Sequence, residues 1–119
     1  MKYEGDLKER TKDFALRVVK LYSSLPKTTE AQVLGKQVLR SGTSVGAHYR
    51  EAVRARSTAE FISKLQGGMQ ELEESSYWFE LIVASGIFTE QKLNKLIDEA
   101  DQLMAILTTI VKNEKNKLK

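Results

Sequence analysis

The sequence predicts an all-α protein, an antiparallel up-down four-helix bundle, on three observations. Apolar residues recur in alternating steps of three and four through four segments, each several helical turns long. Each segment opens on a residue able to cap a helix, and Pro26 and Gly86 stand where two of them should stop. The chain has one proline, seven glycines and no cysteine in 119 residues, and no stretch alternates apolar with polar residues as a half-buried strand does.

The first helix is read over residues 6–24, with Asp6 as its cap and Glu9 as the capping partner. Leu7, Thr11, Phe14, Val18, Leu21 and Leu25 share one face, and Lys8, Arg10, Lys12, Asp13, Arg17 and Lys20 lie between them. Pro26 ends it, because proline disfavours helical geometry at the residue before. The second helix spans residues 29–55, opening at Thr29 with Gln32 as partner. One stripe down it is Leu34, Val38, Ser41, Val45, His48 and Ala52; the neighbouring stripe is Gly35, Leu39, Gly42, Gly46, Tyr49 and Val53. A glycine in an exposed helix interior costs about 1 kcal/mol. Three of them therefore point to close helix packing, and a break around Gly42 is the alternative.

The third helix covers residues 57–85, capped by Ser57 with Glu60 as partner. Its core face is read as Ile62, Leu65, Met69, Leu72, Ser76, Phe79 and Val83, with Gly67 and Gly68 turned toward the small middle of the second helix. Gly86 suits the left-handed residue that ends a helix, with Ile87 as the apolar contact that follows. Thr89 caps the fourth helix, residues 89–114, whose core positions are Leu93, Leu96, Ile97, Ala100, Leu103, Met104, Leu107, Ile110 and Val111. The lysine-rich residues 112–119 are expected to fray.

These elements make one domain over residues 1–119, and 41% apolar with 29% charged residues is the composition of a globular chain. Residues 1–6 are polar and lack the apolar centre of a signal peptide, and uncharged runs such as 102–111 are far shorter than the roughly 20 residues of a membrane span. A cytoplasmic protein without membrane contact is expected. Nucleophilic or acid–base catalysis finds little footing: His48 is the sole histidine and no cysteine is present. Arg40 and His48 are eight residues apart, wider than the short arginine–histidine spacing of small helical ribonucleases. A bundle-type metal site needs two Glu-x-x-His motifs, of which there is none. No enzyme, metal or cofactor is expected.

Charge distribution says more than the net +3. Residues 29–56 hold five basic side chains, Lys36, Arg40, Arg50, Arg54 and Arg56, against Glu30 and Glu51; residues 57–86 hold Lys64 against five glutamates. Lys36, Arg40, Thr43, Ala47, Arg50 and Arg54 fall on one helical edge, and such a row suits phosphate oxygens through charge-assisted hydrogen bonds. Pairing with the acidic third helix, within the chain or between copies, is the competing use, and Glu51 with Arg54 is one expected local pair. Gly42, Gly46, His48 and Tyr49 are assigned to helix packing or an interface. Tyr77, Trp78 and Leu81, partly off the core face, are read as anchors of a homo-oligomer, as large aromatics outside a core commonly are. Ile106 lies off the fourth helix's core face in the same way.

Gln37 to Ser41, Ser44-Val45, Ala47 to Ala52, Arg56-Ser57 and Glu60-Phe61, with Glu71-Leu72 and Gly86 further on, resemble the bacterial four-helix-bundle family of proteins encoded in 23S rRNA intervening sequences. The resemblance implies a bundle that assembles as a ring, often a pentamer, with a basic surface. It extends to the accessory variability proteins of retroelements, which are pentamers that bind nucleic acid and a reverse transcriptase. His48 stands where the family often has asparagine, and Ala52 where it frequently has glycine. The implied function is a non-enzymatic oligomer that binds RNA or DNA, with a protein-interaction scaffold, such as a reverse-transcriptase accessory subunit, as the other reading.

Overall fold

A computed structural model describes residues 4–119. Its helices are α1 (Glu4–Ser23), α2 (Thr29–Val53), α3 (Thr58–Ala84) and α4 (Glu90–Lys117), and no strand occurs among the described residues. They form a rod with extents of 49 × 20 × 19 Å.

The caps explain where the helices begin. Thr28, not Thr29, caps α2, its hydroxyl accepting the Ala31 N–H at 3.3 Å. Gln32 serves the preceding turn instead, donating to the Pro26 carbonyl at 2.9 Å and accepting from the Tyr22 hydroxyl at 3.1 Å. Ser57 caps α3 through the Glu60 N–H at 3.0 Å, and the Glu60 carboxylate accepts the Arg56 N–H at 2.7 Å. Thr89 caps α4 through the Lys92 N–H at 3.2 Å. Helix α1 already runs at Glu4, so Asp6 sits in its first turn, where a negative charge complements the helix dipole, rather than at a cap.

The helix ends follow the same logic. At Gly86, φ is +77°. The Gly86 N–H donates to Val83 O at 3.0 Å and the Ile87 N–H to Ile82 O at 3.1 Å, with Ile87 packed on the core. This is the paired hydrogen-bond closure that a left-handed glycine allows. Helix α4 continues to Lys117, past residue 112, where fraying is expected from the sequence. Ile110 and Val111 are buried there, Glu114 pairs with Lys117 at 2.6 Å, and late lysines suit the negative end of the dipole.

Neighbouring helices run antiparallel, as their facing residues show. Gly35 meets Tyr22 and Leu25, Gly42 meets Val18, and Gly46 meets Thr11, so α2 ascends as α1 descends. Across the next seam Ser41 bonds Ser75 at 2.8 Å and His48 lies over Gly67. Gly68 approaches both the Val45 carbonyl and Leu107 of α4. Arg10 closes the ring from α1 to α4 with a forked pair to Glu99, at 2.7 and 3.2 Å. Helix α2 is unbroken through Gly42, and the glycines serve close approach. A Cβ on Gly42 would stand 2.9 Å from Val18 Cγ2, and one on Gly67 would stand 2.8 Å from the His48 ring.

All six apolar-face positions of α1 read from the sequence are buried, from Leu7 to Leu25. On α3 the buried face is rotated: Phe61, Gly68, Ser75 and Ile82 are buried, whereas Met69, Ser76 and Val83 are half-exposed. The rotation turns α3 toward α2, where small residues allow the closest packing.

Candidate functional site

The basic row does not act as one surface. Lys36, Arg40, Arg50, Arg54 and Arg56 are all at least partly exposed, but they divide by partner. Arg40 reaches across the seam to α3, with Nη1 3.5 Å from Glu71 and Nη2 3.3 Å from Glu74. Burial, with the Glu74 contact adding to it, pushes the Glu71 carboxyl above the usual carboxylate range. Its hydrogen bonds with Glu71 and then Arg40 hold Glu74 below that range. Arg56 sits in the α2–α3 connection, and its backbone helps close the start of α3.

Glu51 does not pair with Arg54. It turns to the α3 side, 3.4 Å from Lys64 and 3.7 Å from His48 Nδ1. That leaves Arg50 and Arg54 without an acidic partner among the described residues. Arg50 lies in the last turn of α2 and Arg54 at its C-cap, and they line a cavity of about 110 Å³ with Tyr49 and Val53. The fifth lining residue is Lys8 of α1, likewise without an ion pair among the described residues. From the sequence Lys8 is legible only as a solvent-facing lysine; the signal that it belongs here is its offset from Thr11, which packs against Gly46.

A second basic cleft lies at the other end of α1, along its seam with α4. Arg17, Lys20, Lys92 and Lys95 rim it over Leu21, Leu93 and Leu96. Nothing in the spacing within a single helix marks it, because its cations come from distant segments.

The residues assigned to packing or an interface also divide. Gly42, Gly46 and Tyr49 are buried within the chain, Tyr49 at 1% exposure, so their close contacts join α2 to its own bundle rather than to another copy. His48 is half-buried between α2 and α3, its ring filling the space that Gly67 leaves. Tyr77 is 52% exposed and stacks at a tilt on Trp78, ring centroids 5.2 Å apart. Trp78 packs partly on the core, and its buried Nε1–H has no hydrogen-bond partner among the described residues. Leu81 is half-buried, and Ile106 lines a shallow depression on α4 with Ala105, Thr109 and Ile110.

No group of three or more metal-ligating side chains occurs among the described residues, and no helix there is long and apolar enough to cross a membrane. The arrangement offers cations on a small cavity.

The model of the 23S rRNA-intervening sequence protein family matches residues 4–109. Among solved structures, the chain is similar to a protein of unknown function from the S23 ribosomal protein family of Bacteroides thetaiotaomicron. The two are 37% identical, the match covers 94% of this chain and 99% of that one, and the TM-score is 0.87. None of the curated proteins matches.

Proposed function

We propose, for a chain that belongs to the 23S rRNA-intervening sequence protein family, a non-enzymatic role as an oligomeric bundle that binds the phosphate backbone of RNA or DNA in the bacterial cytoplasm. One observation carries the reading: Lys8, Arg50 and Arg54 line a common cavity with no acidic partner among the described residues, while Arg40 is held by two glutamates. Cations without an acidic partner need not be released from one, so their full charge is available to phosphate oxygens. Lys36 and Arg56 are exposed and add solvated charge elsewhere on the surface. Repetition over several subunits multiplies a modest site through effective concentration. The assembly proposed is a pentamer, as the resemblance implies.

The test is affinity for structured RNA and for duplex DNA, in the wild type and in the Arg50→Glu/Arg54→Glu variant. Binding of both polymers weakened at least about tenfold, with little sequence preference, is the expected result. Equal affinity in the two proteins removes this site from nucleic-acid binding.

A second reading, a scaffold that docks protein, such as a reverse-transcriptase accessory subunit, draws on Tyr77. A half-exposed tyrosine stacked on a tryptophan is a surface suited to a protein contact. In that case, Tyr77→Asp alters assembly or partner capture, and nucleic-acid affinity is weak throughout.

A further inference from the structure

We infer that the cavity lined by Lys8, Arg50 and Arg54 is a discrete site for a phosphate monoester, the group that ends a nucleic-acid strand, rather than a length of groove for internal phosphodiesters. The inference rests on the nucleic-acid-binding reading and narrows it to one chemical group. Size is the first argument. At about 110 Å³ the cavity has about a third of the volume of the α1–α4 cleft. That suits one tetrahedral oxyanion better than a base.

Charge is the second. A monoester near neutral pH carries about −1.5 to −2, whereas a diester carries a single negative charge. Coulomb attraction to the same cations scales with that charge, so the site favours a strand end over a strand interior. Among the described residues, the lining holds no acidic side chain to oppose it. Geometry is the third. Arg50 in the last turn of α2 and Arg54 at its C-cap both line the cavity, and each planar fork can take two phosphate oxygens. Lys8 supplies a point charge from the facing helix. Tyr49, 1% exposed, and Val53 complete the described lining. The wide α1–α4 cleft has the opposite character, at about 330 Å³ and open along the seam, and it makes no such distinction.

The probe is a short single strand in three forms, bearing a 5′-phosphate, a 3′-phosphate or hydroxyls at both ends, with binding followed by fluorescence anisotropy. The phosphorylated forms are expected to bind about tenfold more tightly, the worth of one further charged hydrogen bond. Arg54→Gln and Lys8→Gln should each shrink that advantage, and circular dichroism should show both variants folded. The advantage should also fall as pH drops through about 6, where a monoester takes up its second proton. Equal affinity for all three strands, with steep salt dependence, overturns the monoester site and leaves the backbone-binding reading standing. No binding by any strand removes both. Inorganic phosphate that competes at the strand's own affinity assigns the cavity to small phosphates and overturns the strand-end assignment.

Discussion

Replacing Gly42 by alanine sets helix propensity against packing, and the structure decides which wins. Propensity alone favours the alanine by about 1 kcal/mol in a helix interior, and the loss of glycine's freedom in the unfolded chain points the same way. Against this, the new methyl would stand 2.9, 3.0 and 3.2 Å from Val18 Cγ2, Cγ1 and Cβ. The two methyls branch from a Cβ that is itself this close, so Val18 cannot swing aside; α1 and α2 must separate. Overpacking of this kind costs about 1–3 kcal/mol, so a net loss of about 1 kcal/mol is expected. Urea unfolding at one fixed protein concentration measures it, since assembly would otherwise shift the midpoint. Val18→Ala should relieve the clash. The Gly42→Ala/Val18→Ala double variant should then be more stable than the sum of the single losses implies, by about 1 kcal/mol. A Gly42→Ala protein more stable than wild type by the full propensity gain would refute close α1–α2 packing at this point.

Other features yield checks of the same kind. Ser75→Ala should cost about 1 kcal/mol by leaving the buried Ser41 hydroxyl its weak 3.5 Å approach to Val38 O, whereas Ser41→Ala/Ser75→Ala should be nearly neutral in urea unfolding. Glu71 has its pKa raised by burial, so the stability it contributes is present below the usual carboxylate range and is lost as pH rises through its folded value. Glu71→Gln should accordingly raise the melting temperature at pH 7, with the gain vanishing in acid. Gly86→Ala should lose about 1 kcal/mol, since its φ of +77° is unfavourable for any side chain although the space around it is open. Tyr77→Asp should lower the mass found by light scattering if the Tyr77–Trp78 surface joins copies; an unchanged mass counts against that surface.

The fold is legible in the sequence because its signals are local. The three-four pattern in α1, the left-handed Gly86 and the caps Ser57 and Thr89 each depend on residues a few positions apart, and each stands where the pattern puts it. What the pattern misses depends on neighbours distant in sequence. Apolar periodicity finds Ile62, Leu65, Leu72 and Phe79 on α3 but misses Gly68 and Ser75, small residues that let α2 approach. The basic row is legible as a row and not as a set of partners. Arg40 differs from Arg50 and Arg54 only because Glu71 and Glu74 face it across the α2–α3 seam. Lys8 joins the site through the antiparallel register of α1 and α2, which no single-helix pattern contains. Gly42 and Gly46 read as helix packing or an interface because small residues signal close approach without saying whether the approaching helix belongs to the same chain.

The central claim is that phosphate binding resides in Lys8, Arg50 and Arg54 and not in the basic row as a whole. The most direct measurement is the dependence of structured-RNA affinity on salt between about 50 and 200 mM, for wild type, Arg50→Gln/Arg54→Gln and Arg40→Gln. Each phosphate that the protein ceases to neutralise lowers the logarithmic slope by about 0.7 to 0.9, for single strands and duplexes respectively. The double variant should therefore show a slope shallower by about 0.7 to 0.9 per subunit engaged, for the one phosphate the cavity holds, with Arg40→Gln close to wild type. A shallow slope in Arg40→Gln beside a wild-type slope in the double variant would contradict the account.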